Sequence, residues 1–155
     1  MESIGKITIC EYAPHNEKDV LYLLDLNTPQ YFAASEKEDF RFYLRHEIEK
    51  YYIASMNNII VGCGGINIDN NTGKISWDII HPKYQGKGIG TVLLKYRIDK
   101  LKLYPQIRSI VVRTSQYVYK FYEKNGFKLK ETQKDYWAKG FDLYKMEFGT
   151  LNKTI

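Results

Sequence analysis

The sequence IIHPKYQGKGIGT, residues 79–91, decides the fold more than any other stretch of the chain. A β-rich run leads into it, and apolar residues at helical spacing follow it. Between the two, Gly86, Gly88 and Gly90 alternate with other residues. Because these glycines have no side chains, their backbone N–H groups can converge on an anion, next to Lys87 and the positive end of the following helix. The stretch therefore predicts a phosphate site at a strand-to-helix turn.

The spacing of the glycines excludes the two commonest nucleotide-binding loops. A P-loop needs four residues between its first glycine and a Gly-Lys-Ser/Thr, and a dinucleotide loop needs Gly-x-Gly-x-x-Gly. The chain instead has Gln85-x-x-Gly88-x-Gly90. This pattern resembles the pyrophosphate loop of the GNAT family of N-acetyltransferases, which bind coenzyme A (CoA).

A second segment strengthens the resemblance. Ser115-x-x-Val118-x-x-x-Tyr122-x-x-x-Gly126-Phe127 is similar to the family's motif in which a short helix ends at Gly-Phe. The two motifs are specific when they occur together. With the order of elements described next, the resemblance covers nearly the whole chain.

Working outward from the loop, the hydrophobic pattern and the turn residues divide the chain into strands and helices. Ser35 and Glu38 have the spacing of a capping box at the start of the second helix. The predicted strands are 7–10, 51–56, 59–66, 74–80, 107–114, 127–132 and 143–148, and the predicted helices are 14–26, 35–48, a long one after 88, and 116–124. The order β-α-α-β-β-β-α-β-α-β-β predicts an α+β fold with a mixed, mostly antiparallel sheet and helices on both faces. The resemblance identifies this order as the acyl-CoA N-acyltransferase (GNAT) fold.

Length and composition limit the class of protein. The 155 residues suit one domain spanning 1–155, and no apolar run approaches the roughly 20 residues that cross a bilayer. Cys10 and Cys63 form no zinc or disulfide pattern, so we expect no metal and a cytoplasmic protein. The net charge of +5 favours phosphorylated ligands, but the basic residues form no block typical of a nucleic-acid-binding tail.

The resemblance implies that acetyl-CoA is the co-substrate and suggests how it is held. The main chain from 86 to 91 would bind the pyrophosphate. The strand before it would bulge and splay from the strand at 110–114, so that main-chain groups of Asp78 and Ile80 pair with pantetheine and polarise the thioester carbonyl. The residues implied to contact the cofactor are Asp78, Ile80, Gln85, Gly86, Lys87, Gly88, Ile89, Gly90, Thr91, Ser115 and Tyr122.

Two residues are the catalytic candidates. The resemblance makes Tyr122 the general acid, because a phenol with an ordinary pKa near 10 keeps its proton at neutral pH until a thiolate departs. Asp78 is the first candidate for the base, since strand alternation places it on the same face as Lys74 and Ser76. The weaker candidates are Glu47, His81 and Asp135.

The acceptor and two alternatives stay open. We expect a primary amine of a small molecule or peptide, in a pocket with Tyr31-Phe32 on one wall and Tyr136-Trp137, in the loop between the last two strands, on the other. The resemblance makes a homodimer possible, and the charge pattern and the short apolar runs lead us to expect neither a nucleic-acid nor a membrane partner. The alternatives are a non-catalytic acyl-CoA sensor, which would bind CoA without turnover, and a nucleic-acid-associated protein with strongly salt-dependent binding.

Overall fold

A computed structural model describes residues 1–149 and 151. Within this part of the chain, eight strands and four α-helices follow one another. The strands are β1 (Glu2–Ile4), β2 (Ile7–Glu11), β3 (Lys50–Met56), β4 (Ile59–Asp69), β5 (Thr72–Ile80), β6 (Ser109–Thr114), β7 (Phe127–Ala138) and β8 (Phe141–Phe148). The helices are α1 (Glu17–Leu26), α2 (Glu36–Phe42), α3 (Ile89–Lys102) and α4 (Tyr119–Lys124). A π-helical turn at Tyr43–Glu47 follows α2. Short 3-10 turns at Pro14–Asn16 and Pro82–Tyr84 precede α1 and the glycine loop, respectively.

The strands form one sheet in the order β1-β2-β3-β4-β5-β6-β8-β7. Every neighbouring pair is antiparallel except β5 and β6, which are parallel and joined through α3. The fold class and the element order predicted from the sequence are therefore confirmed, with one addition at the N-terminus. Strand β1 was missed because its three residues are all exposed and show no apolar alternation; it exists through pairing with β2 across a turn at Gly5.

Two hydrophobic clusters cover the two faces of the sheet. On one face, α3 packs through residues such as Leu93 and Leu101, together with Tyr122 of α4. On the other face, α1 and α2 pack through residues such as Leu24 and Phe40. Burial of roughly 1.5–3 kcal/mol per large apolar side chain holds both layers against the sheet. Helices therefore pack on both faces of the sheet. The candidate site lies where β5 and β6 separate.

Strand β5 changes direction in the middle. It pairs with β6 only from Thr72 to Ile75, so the two strands diverge beyond that point. Trp77 has a φ of +46°, and the β4–β5 register shifts across Gly64, which marks a bulge on β5. The expected bulge and splay are thereby confirmed. The bulge also reverses the alternation, so the prediction that Asp78 shares a face with Ser76 was wrong.

Two local predictions also require correction. The capping box at Ser35 and Glu38 is absent, because Ser35 already has helical dihedrals; the Glu36 carboxylate instead accepts the Ala33 N–H at 2.7 Å. The segment 136–137 was expected in the loop between the last strands but lies within β7, which continues to Ala138. The β7–β8 register shifts between Gln133 and Ala138, and Asp135, at φ +53°, lies within this shift. The strand therefore continues beyond it.

Candidate active site

A cavity of about 880 Å³ lies where β5 and β6 separate. Its wall includes the bulged end of β5, the glycine loop, the start of α3 and the cavity-facing side of α4. Nine of the predicted site residues line it: Asp78, Ile80, Gln85, Gly86, Gly88, Gly90, Thr91, Ser115 and Tyr122. Two do not: the Ile89 side chain is in the core, and the Lys87 ammonium lies 6.0 Å from the Tyr84 ring centroid. The structure therefore brings most of the predicted set together around one space.

The glycine loop has the backbone conformation of an anion site. Gly86 and Gly88 have φ of +78° and +82°, and a Cβ at either position would meet no atom within 4 Å. Glycine is therefore needed for the backbone conformation and not for space. Gly88 caps α3, a helix of 14 residues, so the first free N–H groups of the helix point into the same region.

The Gln85 side chain connects the loop to the acceptor side of the cavity. Its amide nitrogen donates to Asn27 Oδ1 at 3.4 Å, and the Tyr31 hydroxyl donates to its oxygen at 3.5 Å. Asn27 in turn donates to the Ile80 carbonyl at 3.1 Å. These contacts tie the loop, the end of β5 and the end of α1 together.

Tyr122 and Asp78 form a hydrogen-bonded pair at the edge of the cavity. The Tyr122 hydroxyl donates to Asp78 Oδ2 at 2.7 Å, and the tyrosine is only 2% exposed. Burial, followed by the Asp78 charge, raises the pKa of Tyr122 well above its ordinary value. The phenol therefore keeps its proton at neutral pH, as a proton donor must.

A residue that sequence analysis missed completes this group. Arg97 of α3 is fully buried, and its Nη2 donates to Asp78 Oδ1 at 2.6 Å. A signal was present in the sequence, because Leu93, Arg97 and Leu101 lie four residues apart on the apolar face of the helix. An arginine in such a stripe needs a buried partner, and the bulge in β5 provides one.

The acceptor side of the cavity is aromatic and polar. Trp77 stacks on Phe32 with ring centroids 6.2 Å apart, and both line the cavity with Tyr31. Asn67 Oδ1 accepts hydrogen bonds from the hydroxyls of Tyr43 and Ser76. On the opposite wall, Trp137 lines the cavity and donates to the Thr114 carbonyl at 3.1 Å. Tyr136 is not among the lining residues and packs against Arg113.

The weaker base candidates differ in position. Glu47 lines the cavity. His81 Nδ1 accepts the Lys83 N–H at 3.1 Å at the start of the 3-10 turn, and Asp135 accepts the Gly140 N–H in the last hairpin. The structure thus brings Glu47 to the site and places His81 and Asp135 outside its lining.

Two further observations concern other chemistries. Burial raises the pKa of the Cys63 thiol to about 12, so this cysteine is a packed core residue and not a nucleophile. Among residues 1–149 and 151, no three His, Cys, Asp or Glu side chains are grouped to hold a metal ion. In the same part of the chain, no helix has the length and apolar character needed to cross a membrane.

Comparison with protein families identifies the class of protein. Residues 16–149 match the model described as the acetyltransferase (GNAT) domain. The chain therefore belongs to the GNAT acetyltransferase family, as its two motifs predict.

Individual relatives agree with this assignment. An uncharacterized N-acetyltransferase, ycf52, from Pyropia yezoensis is 35% identical over 72 residues, which is 46% of this chain and 41% of that protein. The chain thus matches less than half the length of this curated relative. A GNAT family acetyltransferase from Elizabethkingia anophelis, solved with acetyl-CoA bound, is 25% identical with a TM-score of 0.71, covering 96% of this chain and 100% of that one. The ribosomal-protein-S18-alanine N-acetyltransferase from Escherichia coli has a TM-score of 0.76 at 14% identity, covering 96% and 99%, and is similar in fold.

Proposed function

We propose that the protein transfers the acetyl group of acetyl-CoA to a primary amine of a small molecule or peptide, by direct attack in a ternary complex. One observation carries this proposal: the glycine loop and Tyr122 line the same cavity. The loop offers an anchor for the phosphates of CoA, and the phenol offers a proton to the departing thiolate. The acetyl-CoA in the Elizabethkingia anophelis relative supports the choice of co-substrate.

The phosphate end of the cofactor would be held by the loop. Gly86 and Gly88 leave open space above their backbone, so the amides of 86–91 are accessible to a pyrophosphate. Gln85 lines the cavity beside them, and the exposed Lys87 adds positive charge from outside it. The loop therefore fits an anionic ligand both in shape and in charge.

The pantetheine arm would lie in the gap between β5 and β6. Beyond Ile75 the main chain of β5 is released from β6, so groups of Asp78 and Ile80 can pair with the amides of pantetheine. Ser115 lines the gap on the side of α4. A main-chain N–H aimed at the thioester carbonyl would stabilise the oxyanion that forms during attack.

The proposed reaction moves one proton from nitrogen to sulfur. The amine nitrogen attacks the thioester carbon, the C–S bond breaks, and its electron pair stays on sulfur. Tyr122 gives its proton to that sulfur and regains one, through water, from the nitrogen of the new amide. The products are an N-acetylated amine and CoA with a free thiol.

Asp78 takes part through Tyr122 in this scheme. Its two carboxylate oxygens already accept hydrogen bonds from Arg97 and Tyr122, so both are engaged in holding these two side chains before an amine arrives. An amine that arrives as an ammonium ion must lose one proton before it attacks, and we assign that step to water in the cavity, which passes the proton to solvent. Glu47 is the carboxylate candidate from the sequence that also lines the cavity.

The test is the release of CoA thiol from acetyl-CoA with spermidine, kanamycin, lysine and a short peptide with a free N-terminal alanine. Wild type is compared with Tyr122→Phe. Tyr119→Phe is the matched control, because Tyr119 lies on the same helix but contacts Tyr144 and does not line the cavity. We expect amine-dependent release that falls about a hundredfold in Tyr122→Phe and stays near wild type in the control.

Other outcomes separate the alternatives. Binding of CoA without release by any amine would favour the sensor, in which Tyr122→Phe changes nothing. Absence of CoA binding, with salt-dependent binding of nucleic acid, would contradict the proposal at its base. Full activity of Tyr122→Phe would contradict the role of Tyr122 as the acid, but it would not affect the assignment of the glycine loop as the CoA-binding site.

A further inference from the structure

A buried ion pair lies directly behind the proposed acid. Arg97 has no exposed surface, and Asp78 has 12% of its side chain exposed. Two charges in such a position cost several kcal/mol of desolvation each, which their attraction offsets only in good geometry. Here the geometry is good, because the guanidinium also donates to the carbonyls of Leu93 and Gly65. Apolar residues of similar size could fill the same space without this desolvation cost, so stability alone does not explain why a buried ion pair is present here.

The surrounding backbone is shaped to accept this pair. A Cβ at Gly64 would lie 2.6 Å from Arg97 Nη1 and 2.7 Å from its Cζ, so only glycine leaves room for the guanidinium. Opposite Gly64, Trp77 adopts a positive φ that turns Asp78 toward α3. Two backbone features, one on each strand, therefore bring the carboxylate and the guanidinium together.

The carboxylate oxygen of Asp78 that does not contact Arg97 is hydrogen-bonded to Tyr122, the proposed acid. Asp78 Oδ1 is held by Arg97, and Asp78 Oδ2 accepts the hydroxyl of Tyr122. The phenol ring is also packed against Phe121 and Phe127, which holds its oxygen in place. The Arg97 charge lowers the pKa of Tyr122, whereas burial and the Asp78 charge raise it. Arg97 thus counteracts the effect of the carboxylate on the phenol's acidity.

We propose that Arg97 and Asp78 are a positioning pair that aims the Tyr122 hydroxyl at the sulfur of the cofactor. The proposal rests on the function assigned above. Arg97 holds the carboxylate, the carboxylate holds the phenol, and neither charged group needs to touch the substrate. When the thiolate forms, rotation about the Tyr122 C–O bond turns the hydroxyl hydrogen from Asp78 Oδ2 toward the sulfur while the oxygen stays in place. The proton that replaces it returns to the contact with Oδ2.

The experiment is a mutant cycle in which both charges of the ion pair are removed together, so that neither charge is left buried without its partner. Arg97→Met combined with Asp78→Asn removes both charges with little change of volume, and the asparagine oxygen can still accept a hydrogen bond. We expect this double variant to fold and to lose about tenfold in kcat, with the KM for acetyl-CoA within about twofold of wild type. Lys95→Met, on the exposed face of the same helix, is the control and should match wild type.

The cycle is closed with Tyr122→Phe. If the pair acts through the phenol, adding the double substitution to Tyr122→Phe should lower kcat by no more than about another twofold. Independent, multiplicative losses would overturn the proposal, as would a double variant with wild-type kcat. A Tyr122→Phe enzyme with full activity would instead contradict the acid assignment, so the two failures are distinguishable.

A second measurement needs no amine acceptor. In protein labelled with 13C at tyrosine Cζ, the Tyr122 signal is identified by its absence in Tyr122→Phe. We expect this signal to move in the double variant and to stay in place in Lys95→Met. An unmoved Tyr122 signal in the double variant would refute the contact between the pair and the phenol.

Discussion

Removing Arg97 alone should strongly destabilise the fold. In Arg97→Met the Asp78 carboxylate keeps only Tyr122 as a partner, and the Gly65 carbonyl loses its side-chain donor. Leaving one charge of a buried pair without its partner costs about 3–5 kcal/mol. For a chain of this size that loss corresponds to a fall of about 10 °C in Tm. Adding Asp78→Asn should recover most of it, to within about 1–2 kcal/mol of wild type, because the large cost of desolvating a buried charge is then removed.

Urea unfolding followed by tryptophan fluorescence measures these free energies. The chain has two tryptophans, and Trp77 is the residue next to Asp78, so the signal reports directly on the region. The slope of the free energy against urea should stay constant, which would show that the mutations change stability and not the extent of unfolding. Lys95→Met on the same helix should differ from wild type by less than about 0.5 kcal/mol.

The result that would refute this reasoning is additivity. If Arg97→Met costs less than about 1 kcal/mol, or if the double variant is as unstable as the sum of the singles, the two charges are not coupled. The ion pair would then contribute nothing specific, and the shape of β5 around it would need another cause.

Three further predictions concern the loop, a buried acid and the cysteines. Gly88→Ala forces a side chain into a left-handed conformation that costs about 1–2 kcal/mol, and titration calorimetry should show CoA binding weakened about tenfold. Burial raises the pKa of Glu36, despite the opposing Ala33 N–H, so the folded state holds that proton more tightly than the unfolded state. The corresponding stability is present below the unfolded pKa and is lost as pH rises through the folded value. As the pH rises above the ordinary carboxyl range, the free energy of unfolding of Glu36→Gln, measured in urea, should therefore increase relative to that of wild type. Because burial raises the pKa of the Cys63 thiol to about 12, a thiol reagent at pH 8 should label only Cys10 until the protein is unfolded, and early labelling of both would contradict the structure.

The sequence predicted those parts of the fold that depend on local patterns. The glycine loop, the helix after it and the α4 motif were all identified from spacing, and the cavity brings most of their residues together. Strand boundaries were less accurate where no apolar alternation exists, as in β1 and in the exposed outer part of β7. In both segments pairing with a neighbouring strand, and not burial, determines the structure.

The family resemblance predicted a bulge in β5, but the sequence did not place it at Trp77 or show its effect on Asp78, and the site depends on both. Strand alternation assigned Asp78 to the wrong face because one extra residue in β5 reverses the pattern. Tryptophan has no intrinsic preference for a positive φ, so nothing in the local sequence indicates the conformation of Trp77. Its cause is tertiary: the ring stacks on Phe40 with centroids 4.8 Å apart, while the Trp77 carbonyl accepts the hydroxyl of Tyr51 at 2.7 Å.

The same distortion explains how one strand can serve both binding and catalysis. Before the bulge, β5 is an ordinary member of the sheet, paired on both edges. After it, the edge that faced β6 is released, which costs backbone hydrogen bonds unless a ligand replaces them. In the proposed function, pantetheine provides that replacement, since its amides can extend the sheet as a short extra strand. The turned residue, Asp78, then points away from the released edge toward Arg97 and Tyr122. Opening the cofactor gap and orienting the acid are therefore two results of one backbone irregularity, so a change that straightens β5 should impair both together.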